Sequence, residues 1–274
     1  MASGAAGRGA LRALTEAAGQ STPRTPEDAV DPAVPVAGTV VLLRDGAEGL
    51  EVLLLERPDR GSFAGAWVFP GGKVDAVDLR NAAALGATVD LRAAADLGAT
   101  AELGATAVPE EDVARAAGVR ETGEEVGLRL QPQGLVTLSV WDPPPGLPLR
   151  IRTWFFLAPD PGGEVRPAPD EAVAATWQRP ADALAAHGRD ELILYPPTWV
   201  TLHGLTGHAD AHSALAAARV GGIHRFETVA RRGTDGPLLL WQEDGEYEAA
   251  GSGGGARHRL EVGALPWRYT RSAE

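Results

Sequence analysis

Glu121, Glu124 and Glu125 stand in the stretch Val-Arg-Glu-Thr-Gly-Glu-Glu-Val-Gly at 119–127. At about 100° per residue, a helix carries all three within ~100° of arc, on one face. Like charges at these spacings repel by a few tenths of a kcal/mol per pair. Gly123 costs the helix up to ~1 kcal/mol relative to alanine. On a plain surface such a face is simply solvated. The arrangement gains a purpose if a hard divalent cation, Mg²⁺ or Mn²⁺, neutralises the cluster. Such an ion takes oxygen ligands, keeps water, and bridges carboxylates to substrate phosphates. Arg120 precedes the cluster and can pair with and orient one of the carboxylates. The chemistry indicated is charge neutralisation of a phosphate and activation of a water.

The elements that must hold this face are legible around it. Pro109 suits the first helical position, with Glu110, Glu111 and Asp112 favourably placed in the first turn. Gly127 is a natural stop. Upstream, 39–43 and 50–55 are apolar runs flanking an Asp45-Gly46 turn signal, a β-hairpin pattern, and 66–72 is a third strand running into a glycine turn. Downstream, 135–142, 149–159 and 171–178 are strand-like, and a helix follows from Pro180. Residues 195–220 are helical in pattern, with short strands expected at 226–230, 238–242 and 258–262. Between 79 and 108 the four-residue run Leu-Gly-Ala-Thr recurs, so this small-residue segment is taken as an insertion. Residues 1–35, rich in Ala, Gly, Pro and Thr, are expected to form a flexible tail.

Bulk composition bounds the function. The 274 residues suffice for one large domain, or one with an appendage. A formal net charge of −12 repels extended polyanions, so a long nucleic acid is excluded as a partner, whereas a small anionic substrate at a metal ion is not. With no cysteine, thiolate nucleophiles and cysteine-ligated metals are excluded. No apolar run approaches the ~20 residues of a membrane span, and a cytoplasmic location is the expectation.

Gly-Gly-Lys-Val-Asp-Ala-Val-Asp (71–78) followed by Arg-Glu-Thr-Gly-Glu-Glu-Val-Gly-Leu (120–128) resembles the Nudix box, split by the insertion. Arg120, Glu121, Glu124, Glu125, Gly127 and Leu128 match its second half, and Gly72 its opening glycine. The first acidic position falls on Asp78 counting forward from Gly72 and on Asp112 counting back from Arg120, an aspartate either way. The resemblance implies an α/β fold, an α/β/α sandwich around a mixed sheet at 36–190, with an appended C-terminal α/β segment at 191–274. It implies that Glu121, Glu124, Glu125 and the Gly71 carbonyl are metal ligands. Asp170 and Glu171 are candidates for an extra acid. Arg57, Arg60 and the Gly65–Gly72 run with its Phe-Pro-Gly-Gly resemble the coenzyme A and acyl-CoA diphosphatase branch. That likeness places Arg57, Arg60, Phe69 and Gly72 in substrate binding, and guanidinium groups suit phosphates. The aromatic residues Phe63, Trp67 and Phe69 are candidates to stack an adenine, with one of Trp67 and Phe69 expected to face the core. Alternatives are hydrolysis of ADP-ribose, NADH or damaged nucleotides, or a non-catalytic nucleotide-binding regulator. A homodimer is possible.

Overall fold

The computed structural model describes residues 25, 28, 31, 33–61, 63–84, 108–147, 150–248 and 255–272. The expectations for residues 1–24 and for the heart of the insertion, 85–107, lie outside the described residues.

Strand β1 (Val36–Gly46) contains Val40-Val41-Leu42-Leu43, an unbroken apolar run whose successive side chains point to opposite faces of the sheet. Val41 and Leu43 enter one core, and Val40 and Leu42 the other. The same division holds in β2 (Gly49–Glu56) and in β6 (Arg152–Pro159), where Phe155 and Leu157 oppose Trp154, Phe156 and Ala158. A sheet buried on both faces needs continuous rather than alternating hydrophobicity. Strands β3 (Trp67–Val68), β4 (Gly71–Lys73), β5 (Val136–Asp142), β7 (Ala174–Gln178) and β8 (His224–Glu227) complete an eight-stranded mixed sheet. Strands β1 and β6 run parallel, as do β5 and β8; the other pairs are antiparallel.

After a helical stretch α1 (76–84), helix α2 (Glu110–Val126) covers one face, packing on β1, β4 and β6. Its approach is close because glycines meet there. A Cβ on Gly38 would run into the Ala114 carbonyl, and one on Gly118 would lie 3.0 Å from Val40 Cγ2. The helix begins at Glu110, so Pro109 is its N-cap residue rather than its first helical one. A proline loses no N–H bond at either place. The first-turn acids also do more than face the helix dipole. Glu110 accepts from Trp154 Nε1 (2.8 Å) and Arg152 Nη1 (3.1 Å), tying the helix start to the sheet. Gly127, in the left-handed region, ends the helix as expected.

The other face is covered by α3 (Pro180–Gly188), α4 (Pro196–Leu205) and α5 (Ala211–Gly221), with a four-stranded antiparallel sheet of β9 (Val229–Gly233), β10 (Gly236–Leu240), β11 (His258–Glu261) and β12 (Arg268–Arg271). Trp199, Leu202, Leu215, Trp241 and Leu260 share one core with β1, β2 and β6. Residues beyond 190 therefore supply one layer of the sandwich and one strand of its sheet. The single strand expected at 226–230 is two, in different sheets. Buried Thr228 separates them, its N–H bonded to the Asp142 carbonyl at 2.9 Å. Among the described residues no helix is long and apolar enough to cross a membrane.

Candidate active site

Strands β1 and β2 pair only over 43–46 and 49–52. Toward the start of β1 and the end of β2 they part, and the segment 67–73 fills the gap: β3 pairs with the end of β2, and β4 with the start of β1. The Phe69-Pro70 bend between them is fixed by a bond from Val40 N–H to the Pro70 carbonyl (2.8 Å). Helix α2 lies against β4, so its last turns meet Gly71 and Gly72.

Glu125 is buried and held at both oxygens. Oε2 accepts the Gly71 N–H at 2.9 Å, and Oε1 accepts Arg57 Nη1 at 2.9 Å. Burial nevertheless pushes its carboxyl up to about 7, against the pull of the Gly71 N–H and Arg57, with the charges of Glu121 and Glu171 adding to the rise. The Glu121 carboxylate lies so close over Gly72 that a Cβ there would occupy its place. Burial raises its pKa too, opposed by Arg120.

Arg120 organises the other side. Its Nη1 donates to Glu121 Oε1 and to Glu124 Oε2, both at 2.9 Å. Its opposite edge makes a two-point ion pair with wholly buried Asp78, Nε to Oδ1 at 3.0 Å and Nη2 to Oδ2 at 2.9 Å, and Nη2 also reaches the Lys73 carbonyl. The Asp78 hydrogen bonds, ahead of the Glu121 charge, raise the arginine's pKa further above its ordinary value. Of the two candidates for the first acidic position, Asp78 is thus the one at the cluster. Asp112 sits at the far end of α2, 49% exposed, 4.0 Å from Arg115.

A cleft of about 590 Å³ opens here. Glu121, Glu125, Arg57, Gly71, Gly72, Phe63, Phe69 and Glu171 line it; Glu124, Arg60, Asp170 and Trp67 do not. Glu124 is 60% exposed because it lies ~100° around the helix from Glu125, at the margin of the cleft-facing arc. Arg60 and Asp170 face solvent and contact each other at 3.5 Å. Glu171 reaches Arg57 Nη1 at 3.3 Å, so one guanidinium bridges a buried and a half-exposed carboxylate. Phe69 is buried, its ring edge-on to Phe155, and forms floor rather than a free stacking face.

Sequence reasoning passed over Lys73, which also lines the cleft. The signal was present: it is the only lysine in the chain, every other one of the 25 basic residues being arginine. Among the described residues no three His, Asp or Glu side chains converge to hold a metal ion, since Arg57 and Arg120 grip the carboxylates. The donor set is still of the kind a hard divalent cation takes. Glu121, partly buried, and Glu125, buried, both have pKa values raised chiefly by burial, and a bound ion would favour their charged forms.

The mixed sheet with helices on both faces has the fold of a solved Nudix hydrolase. A Nudix hydrolase from Alicyclobacillus acidocaldarius superposes with a TM-score of 0.52 over 67% of this chain and 96% of its own, at 24% sequence identity. A MutT Nudix hydrolase from Burkholderia pseudomallei (TM-score 0.39, 25% identity, 62% of this chain and 95% of its own) also aligns. So does the Nudix domain of Shewanella oneidensis NrtR complexed with ADP ribose (TM-score 0.41, 14% identity, 66% and 96%). No protein-family model matches the chain, and no curated protein matches it by sequence.

Proposed function

We propose that this protein hydrolyses the diphosphate linkage of a nucleoside diphosphate derivative, with Mg²⁺ or Mn²⁺ as cofactor. The observation that carries the reading is buried Glu125, bonded to the Gly71 N–H and flanked by Glu121 and Glu171 at one end of the cleft. Glu121, Glu124, Glu125 and the Gly71 carbonyl are the groups that would hold the ion. Once bound, the ion supplies neutralisation of the diphosphate and a more acidic attacking water. The chain supplies the rest. Asp78 locks Arg120, and Arg120 sets the rotamers of Glu121 and Glu124. Gly72, having no side chain, leaves the space that the Glu121 carboxylate fills. Glu171, half in solvent at the cleft wall, is placed to accept the proton of the water as it adds to phosphorus and the bridging P–O bond breaks. Lys73 meets the negative charge of the substrate.

Within that class we assign coenzyme A or an acyl-CoA, giving 3′,5′-ADP and the (acyl-)phosphopantetheine. Arg60, outside the cleft lining and in solvent beside Asp170, would turn toward the additional phosphate such a substrate carries. The test is incubation of the full chain with Mg²⁺ or Mn²⁺ and, separately, coenzyme A, acetyl-CoA, ADP-ribose and NADH, with product masses recorded. Formation of 3′,5′-ADP supports the assignment. AMP with ribose phosphate moves the substrate to ADP-ribose. Tight binding of ADP-ribose without turnover of any of the four makes the chain a ligand-binding regulator and overturns the enzymatic reading.

A further inference from the structure

The cleft does not end at the carboxylates. Its inner part is built by the loop after β5 and by the segment beyond residue 190, which contributes Tyr195, Pro197, Thr198, Leu239 and Trp241 to the wall. Both indoles and the carboxylate along this part are engaged within the protein. The Trp141 indole N–H donates to Ser139 Oγ at 3.0 Å and that of Trp241 to Thr228 Oγ1 at 3.1 Å. Asp142 is buried against Arg152, with Nε to Oδ1 at 2.7 Å.

The rings that line the cleft pack on one another. Trp141 has one face covered by Phe226, with centroids 3.8 Å apart and planes 3° from parallel. Trp241 meets Trp141 edge-on, Phe69 meets Phe155 edge-on, and Phe63 meets Tyr195 edge-on. Stacking a nucleobase takes an uncovered ring face, whereas edge-to-face walls with leucine and proline between them accept saturated carbon.

We infer that the chain beyond residue 190 is a specificity element, closing the inner cleft into a compartment for a hydrocarbon group carried by the diphosphate substrate. The inference rests on the proposed diphosphate site, which lines the same cleft. It assigns Tyr195 and Leu239, with Leu147 from the loop after β5, as the residues that read that group.

The probes are straight-chain alkyl diphosphates, ethyl to octyl, titrated calorimetrically into the full chain with Mg²⁺. Affinity is expected to rise about three- to fourfold for each methylene that enters the compartment, then level off when it is full. In Leu239→Phe, and in Leu147→Trp at a partly buried position on the edge of the core, the octyl-to-ethyl affinity ratio is expected to fall at least about tenfold. Thermal melting of each variant shows which remains folded, and the folded one is read. A flat dependence on chain length in the wild-type chain overturns the inference. A rise that both variants leave unchanged does the same, since the chain then binds elsewhere. Adenosine monophosphate binding more tightly than octyl diphosphate, and weakened by the same variants, makes the compartment a base site and also overturns it. Hydrolysis is followed separately. Chain-length-dependent binding without turnover of any diphosphate defeats the proposed reaction and leaves the compartment standing.

Discussion

Arg120 and Asp78 form a two-point ion pair across 42 positions of sequence, with the carboxylate wholly buried. The pair connects the segment after the Phe-Pro-Gly-Gly bend to the helix that carries the glutamates. Removing Asp78 leaves Arg120 only Glu121, Glu124 and the Lys73 carbonyl as partners, at a cost of about 1–3 kcal/mol. Asp78→Ala is therefore expected to lower stability by that order in urea unfolding. Asp112→Ala, at a half-exposed position, is expected to change it by less than ~0.5 kcal/mol. Equal effects of the two substitutions would contradict the assignment of Asp78 as the acidic partner.

Gly72 faces the Glu121 carboxylate with no room for a methyl group. In Gly72→Ala the Glu121 side chain is expected to turn out of its position between Gly72 and Arg120. Hydrolysis should fall at least about tenfold, in line with the cost of misplacing a catalytic group. Stability should fall by no more than ~1–2 kcal/mol, because a side chain rather than backbone gives way. Steady-state kinetics beside a melting curve separates the two effects.

Glu125 fixes how the metal-free protein responds to pH. Its carboxyl is raised from an ordinary value of 4.5 to about 7 by burial, so the folded state holds the proton more tightly than the unfolded chain does. The stability this contributes is fully present below about 4.5 and is lost as pH rises through about 7, by up to ~3 kcal/mol. Glu125→Gln is expected to flatten that slope between pH 5 and 8. Arg57→Ala should move the midpoint upward, because Arg57 opposes the rise. Added Mg²⁺ should remove much of the loss in the wild-type chain by binding the ionised form. A slope that is the same in Glu125→Gln would mean another group sets it.

Much of this site was legible in the sequence. The helix around Glu121 and Glu125, its glycine stop and the hairpin upstream all rest on local signals: helical spacing, turn residues and short apolar runs. What was not legible depends on contacts between distant segments. Asp78 and Asp112 are equivalent by counting, and only the fold, which brings 78 beside 120, separates them. Arg57 reads as a phosphate ligand from its charge, yet in the folded chain it joins Glu125 to Glu171. Thr228 bears no breaker signature, so one strand was expected where the chain changes sheets. The segment beyond 190 carries no motif, because its contribution is the apolar wall it packs against β1, β5 and β6, and such surfaces have no signature in a linear pattern.

The most direct test of the account is the rate at which the full chain converts coenzyme A into 3′,5′-ADP and phosphopantetheine, measured against Mg²⁺ concentration for wild type and Glu125→Gln. The account predicts a rate that rises from zero with the ion and drops at least about a hundredfold in the variant. An unchanged rate in excess chelator, or in folded Glu125→Gln, would contradict it.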